Sequence, residues 1–144
     1  MKKILSTAYN AGLANTWLLL LRVAASLLML THGYPKFQKL VGNQTIQFAD
    51  PFSLGTYPSF ILVVFAEFFC SLFIILGLGT RVASLFIIVT RAVAGFYVHA
   101  NDPFGKKELA FLYLLVFLTV LVFGPGKYSL DHAIAGKSRV SKRY

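Results

Sequence analysis

The chain has 144 residues, of which 57% are hydrophobic and 13% are charged, and its mean hydropathy is +0.70. Soluble domains carry about 25% charged residues, so this composition excludes an ordinary soluble domain, and its apolar content excludes a disordered chain. The net charge of +9 comes from basic residues at the edges of long apolar runs, so we expect lipid as the partner and no nucleic acid. The single cysteine, Cys70, excludes an internal disulfide.

Four segments are long and apolar enough to cross a bilayer, which requires roughly 17 to 25 residues of helix. They lie at 16–33, 58–78, 81–99 and 107–123. Backbone amides in lipid must be bonded within their own segment, so these segments are expected to be helices. The sequence therefore predicts an all-α fold, an integral membrane four-helix bundle formed by one domain over 1–144.

The connections and the basic residues predict an orientation. Gly-Leu-Gly-Thr at 77–80 predicts a tight hairpin, and the longest connection is 34–57, with Pro35 as a turn signal and room for a short interfacial helix around FQKLV. Lys and Arg favour the cytoplasmic side. One side receives eight of them (Lys2, Lys3, Arg81, Lys127, Lys137, Arg139, Lys142, Arg143) and the other receives four (Lys36, Lys39, Lys106, Lys107). Both termini are therefore expected to be cytoplasmic.

Three charged residues, Arg22, Glu67 and Arg91, lie inside the predicted spans and away from their ends. Glu67 lies about 14 Å below the start of its span and Arg91 about 15 Å above the start of the next, so both reach the midplane and are expected to pair. Arg22 either reaches the interface or turns inward toward Glu67. A plain salt bridge that fixes helix register is one interpretation. The other is a core with excess positive charge, suited to an anion or to the carbonyl oxygens of a quinone.

Helical phase predicts which faces form the interior of the bundle. At ~100° per residue, one polar or small-residue stripe follows each span. The stripes are Arg22, Ala25, Ser26, Met29 and Gly33; Glu67, Ser71 and Ile74; Thr80, Ser84, Arg91 and Gly95; and Glu108, Leu115 and Thr119. The opposite faces are expected to contact lipid, and Tyr113 is expected to anchor at the interface.

A second group of polar residues is expected at the outer ends of the spans. His32, His99 and Glu108 are candidates for carrying protons. No pair such as His-x-x-His fixes two ligands on one helix, so no metal site is expected.

Four stretches of the chain resemble the DoxX family of small four-helix bacterial membrane proteins. They are LLLLRVAASLLMLTHGYPKF at 18–37, FAEFFCSLFIILGLGTRVAS at 65–84, VHANDPFGKKE at 98–108 and GPGKYSLD at 124–131. The resemblance implies a four-helix membrane bundle with a redox-linked role, since relatives include the membrane subunit of a thiosulfate:quinone oxidoreductase. No residues resemble a sulfur-substrate site, and no catalytic residue is assigned.

The expected function is a redox-associated inner-membrane subunit that interacts with quinone. Arg22, Glu67 and Arg91 are the candidate quinone-binding residues. No covalent cofactor is expected. Whether the chain is a subunit of a quinone-linked oxidoreductase is left open. The alternatives are a membrane scaffold for soluble redox proteins, bound through the basic tail, and a carrier of small anions or lipid. A soluble redox protein or a second copy of the chain is the expected partner.

Overall fold

The computed structural model describes residues 10–42 and 44–141, and this part of the chain is helical without a strand. The helices are α1 (Ala11–Val41), α2 (Thr56–Leu76), α3 (Thr80–Val98), α4 (Phe104–Phe123) and α5 (Leu130–Ser141). In the bundle, α1 packs against α2 and α4, and α3 packs against α2 and α4. The predicted all-α class is confirmed.

Helix α1 is longer than the sequence predicts, because it continues through Pro35 to Val41. Asn10 caps its start by accepting hydrogen bonds from the amides of Gly12 and Leu13. Pro35 removes one backbone donor, a loss that membrane-spanning helices tolerate. The predicted connection at 34–57 and the separate helix around FQKLV are therefore wrong, and Lys36 lies on α1.

Helices α2 and α3 form an antiparallel hairpin across the predicted tight turn. Gly77 and Gly79 have φ of +72° and +56°, values that glycine adopts without steric cost. Each helix contains one wider π-helical segment, Phe65–Phe69 in α2 and Ala94–Val98 in α3. Segments of this kind frequently occur at functional sites. We call the side of the bundle with this turn the hairpin end and the opposite side the loop end.

Among the described residues, three helices, α1, α2 and α3, are long and apolar enough to cross a membrane. Helix α4 has 20 residues and begins three residues before the predicted span, with Lys106, Lys107 and Glu108 near its start. That α4 also crosses the membrane, and that both termini are cytoplasmic, remain predictions. Lys2, Lys3, Lys142 and Arg143, which contribute to the orientation count, lie outside the described residues.

The interior of the bundle follows the predicted stripes on the first three helices. All five stripe residues of α1 are buried, as are Glu67, Ser71 and Ile74 on α2. The stripe predicted for α4 is wrong, because Leu115 is 61% exposed and the Thr119 hydroxyl bonds to the Leu115 carbonyl of its own helix. The buried face of α4 instead consists of Ala110, Tyr113, Phe117 and Val120, so Tyr113 belongs to the core and not to the interface.

Candidate functional site

A cavity of about 380 Å³ lies between α2 and α3 at the loop end of the bundle. Most of its wall is apolar, and the connection after α1 contributes Phe48, Ala49, Pro51 and Phe52 to its lining. The ionisable groups in the wall are Lys36, Glu67, Arg91 and His99. Small-molecule sites typically have this composition, a mainly apolar wall with a few polar groups.

The position of Glu67 is fixed by close backbone contact between α1 and α2. Glu67 lies in the π-helical segment of α2, and its carbonyl accepts a hydrogen bond from the Ser71 hydroxyl at 2.7 Å. Gly33 of α1 packs directly on it, since a Cβ at Gly33 would lie 2.6 Å from the Glu67 carbonyl carbon and oxygen. Only glycine leaves room for this contact.

Glu67 is fully buried and pairs with two cations. Arg91 Nη2 contacts its Oε1, and Lys36 Nζ donates to its Oε2 at 2.6 Å. The predicted Glu67–Arg91 pair is thus present. The sequence predicts Lys36 only at the outer ends of the spans, and not beside Glu67, because Pro35 is interpreted as a turn. A continuous helix would have placed Lys36 on the same face as Gly33, three residues away.

Arg22 does not join this cluster, so the predicted grouping of Arg22 with Glu67 is wrong. Its Nη1 donates to the carbonyls of Ile74 and Ile75 at 2.6 and 3.1 Å, and its Nη2 donates to the carbonyl of Tyr128. Ile74 follows Glu67 by seven residues, or roughly 10 Å along the helix axis. The last carbonyls of α2 lack partners within the helix and carry partial negative charge, which attracts the guanidinium to the hairpin end.

The three candidate proton carriers lie in different surroundings. His99 lines the cavity, and its Nδ1 is 2.7 Å from Asp102 Oδ2. His32 packs edge-on against the Tyr113 ring, with 5.9 Å between ring centroids. Glu108 is exposed at the start of α4. The structure therefore brings only His99 to the cavity.

The loop beside the cavity is fastened through Asp50. Its carboxylate accepts hydrogen bonds from the Ser59 hydroxyl at 2.7 Å and from the amides of Leu54 and Gly55 at 3.0 and 2.7 Å. The hydroxyl contact, together with the amides, lowers the pKa of Asp50 below its ordinary value. Phe48 packs against Phe60, with 5.3 Å between ring centroids, so this part of the connection is held close to α2.

One buried donor in the cavity wall has no acceptor among the described residues. Arg91 Nε is inaccessible to solvent and makes no hydrogen bond. Buried donors of this kind cost free energy unless a partner reaches them.

Within the described residues, no three His, Cys, Asp or Glu side chains lie close enough to hold a metal ion. The basic side chains of residues 137–144, on which the scaffold alternative depends, lie outside the description.

Comparison with known proteins gives the family. The DoxX family model matches residues 17–100. The chain is 30% identical over 131 residues to inner membrane protein YqjF of Escherichia coli (strain K12), covering 87% of this chain and 97% of that protein. It is also 30% identical over 123 residues to an uncharacterized protein of Haemophilus influenzae, covering 81% of this chain and 89% of that protein. No solved structure matches significantly.

The family match covers more than half of the chain and includes Arg22, Gly33, Lys36, Glu67, Arg91 and His99. The similarity to an inner membrane protein agrees with the helices long and apolar enough to span a bilayer. The chain is therefore a member of the DoxX family and a multi-pass protein of the bacterial inner membrane.

Proposed function

We propose that this protein is a redox-associated membrane subunit that binds quinone in the cavity between α2 and α3. The single observation that carries the proposal is the pair of cations in the wall of a mostly apolar cavity, Lys36 and Arg91, which share the one carboxylate of Glu67. A carbonyl oxygen of a quinone ring is an acceptor that such donors can bind, and the apolar wall suits the rest of a quinone.

Lys36 and Arg91 act as the hydrogen-bond donors in this proposal, and Glu67 holds both of them in place. The ammonium of Lys36 has three N–H donors and the guanidinium of Arg91 has five. Glu67 occupies only some of these, through one contact with each side chain. Donors therefore remain for ring oxygens, and a bound quinone would supply the electron-accepting chemistry.

His99 is the proposed proton carrier, because it alone among the three candidates lines the cavity. Its Nδ1 bonds to Asp102, which fixes the ring and leaves Nε2 to exchange a proton. The His99 side chain is 41% exposed, so it has access both to the cavity and to water. Glu108 has no place in this proposal.

The test is the affinity of a quinone analogue for the purified full-length protein in nanodiscs. We expect Arg91→Gln and Glu67→Gln to weaken binding at least about tenfold, a loss of about 1.4 kcal/mol. Glu108→Gln is the matched control, because it makes the same chemical change outside the cavity and should bind like the wild type.

Equal binding by the wild type and both cavity variants would contradict the proposal, as would no binding by the wild type. Arg91→Lys guards against loss of folding, since it keeps the charge beside Glu67 but has three N–H donors in place of five. A folded Arg91→Lys protein should still bind the analogue more weakly than the wild type.

A further inference from the structure

The balance of charge in the cavity carries an inference beyond quinone binding. The ionisable groups in its wall are two cations, Lys36 and Arg91, one carboxylate, Glu67, and His99. When His99 is neutral, the two cations and the one carboxylate leave the wall with one excess positive charge. The excess charge lies at one place, because both cations contact the same carboxylate.

The other acids at the loop end do not balance this charge. Asp50 is engaged by Ser59 and by two backbone amides, and Asp102 is engaged by His99 and Lys106. Glu108 is exposed at the start of α4, and none of these three carboxylates lines the cavity. His32 and Tyr113, which lie close enough to Arg91 to interact with it electrostatically, add no negative charge when they are in their neutral forms.

A cation without a counter-charge is costly in a largely apolar site. Lys36 is 29% exposed and Arg91 is 12% exposed at the side chain, so an incoming group can reach both. A neutral carbonyl would satisfy a donor but leave the excess charge. A carboxylate would satisfy donors on both side chains and balance the charge at the same time.

The remainder of the cavity suits a hydrocarbon chain. Leu62, Val63, Phe86, Val89, Val93 and Val98 are among its lining residues. Leu62 and Val89 are about half exposed on the outer faces of α2 and α3, where a bilayer would contact the helices. The volume of about 380 Å³ is near the lower end of the usual range of ligand pockets, about 300 to 1,000 Å³, which favours one chain over the two chains of a phospholipid.

We propose that the cavity binds a singly charged amphiphile with a carboxylate head and one apolar chain. The head contacts Lys36 and Arg91, and the chain lies along the apolar wall between α2 and α3. This proposal does not depend on quinone binding, although the two ligands would compete for the same cavity.

The experiment measures radiolabelled dodecanoate bound by the full-length protein in phosphatidylcholine nanodiscs, with empty nanodiscs subtracted. It is done at about pH 7, above the ordinary pKa of a carboxyl group and below that of a lysine ammonium, so that both groups are charged. Unlabelled dodecanoate and dodecanol, which share a chain but differ in charge, are then compared as competitors. We expect dodecanol to compete at least about tenfold more weakly.

Variants of two lysines on the same helix locate the site. Lys36→Gln should reduce dodecanoate binding at least about tenfold, and Lys36→Arg, which keeps the charge, should retain most of it. Lys39→Gln is the matched control, because Lys39 is exposed and does not line the cavity.

Three results would overturn the proposal. They are no saturable dodecanoate binding, equal competition by dodecanol, and equal binding by Lys36→Gln and the wild type. A neutral quinone analogue is measured as a competitor in the same assay. Failure of that analogue to compete, with dodecanoate bound as expected, would count against the quinone proposal alone.

Discussion

Arg22 and Arg91 show that two buried arginines in one bundle can have unrelated partners. Arg91 pairs with a carboxylate at the cavity, whereas Arg22 donates only to carbonyls at the hairpin end. Gly77 makes the second arrangement possible, because a Cβ there would lie 2.6 Å from Arg22 Nη1. Because both are arginines inside predicted spans, the sequence predicts the same role for each. Their different partners follow from their different positions along the bundle.

Asp131 fastens the start of α5 to the hairpin. Its Oδ1 accepts from the Gly79 amide at 2.7 Å and its Oδ2 from the Thr80 amide at 2.9 Å. Burial raises the pKa of Asp131, but these hydrogen bonds and the charge of Arg22 outweigh burial, so the pKa lies below its ordinary value.

Replacing Asp131 should therefore have a pH-dependent effect on stability. A carboxyl whose pKa is lowered on folding stabilises the protein above its unfolded pKa of about 3.9 and loses that effect as the pH falls through its folded pKa. We expect Asp131→Asn to have a lower Tm than the wild type at about pH 7 and the difference to shrink toward about pH 3. A difference in Tm that does not change with pH would contradict this assignment.

At the scale of helices, periodicity predicts more than connections do. The interior faces of α1, α2 and α3 follow from spacing alone, because their polar and small residues pack inward. On α4 the same reasoning fails, because the buried face of this helix consists of Ala110, Tyr113, Phe117 and Val120 and not of its polar residues. Local rules do not predict that α1 continues through Pro35. Because a turn was expected there, the predicted site does not include Lys36.

The contact between α1 and α2 makes Gly33 a sensitive position. In Gly33→Ala, the added methyl group would overlap the backbone of Glu67, and overpacking of this kind typically costs about 1 to 3 kcal/mol. We expect a lower Tm and weaker binding of the quinone analogue, because Glu67 must shift. Gly105→Ala is the control, since a Cβ at Gly105 meets no atom within 4 Å. If Gly33→Ala and Gly105→Ala behaved alike, the close contact would not control the site.

At the scale of the whole molecule, the two ends of the bundle have different constructions. The hairpin end is closed by hydrogen bonds that join α1, the turn after α2, and residues 126–131. The loop end holds the cavity and the charged residues around it. The count of basic residues predicts that the hairpin end is cytoplasmic and the loop end faces the periplasm.

Labelling of introduced cysteines tests this orientation. Asn101 and Lys127 are exposed at opposite ends of the bundle, and the native Cys70 is buried. In intact spheroplasts, a membrane-impermeant thiol reagent should label Asn101→Cys, whereas Lys127→Cys should react only after permeabilisation. The reverse pattern would show that the hairpin end faces the periplasm. Labelling of both cysteine variants in intact spheroplasts would contradict a membrane crossing by α4.

Photolabelling with a light-activated quinone analogue is the sharpest test of quinone binding between α2 and α3, because it reports where the ligand binds. If quinone binds in this cavity, we expect label on peptides covering 59–67 and 86–98, which line it. This labelling should be prevented by excess unlabelled analogue and reduced in Arg91→Gln, while Glu108→Gln should label like the wild type. Label confined to peptides that do not line the cavity, or labelling that Arg91→Gln leaves unchanged, would contradict a quinone site at Lys36, Glu67 and Arg91.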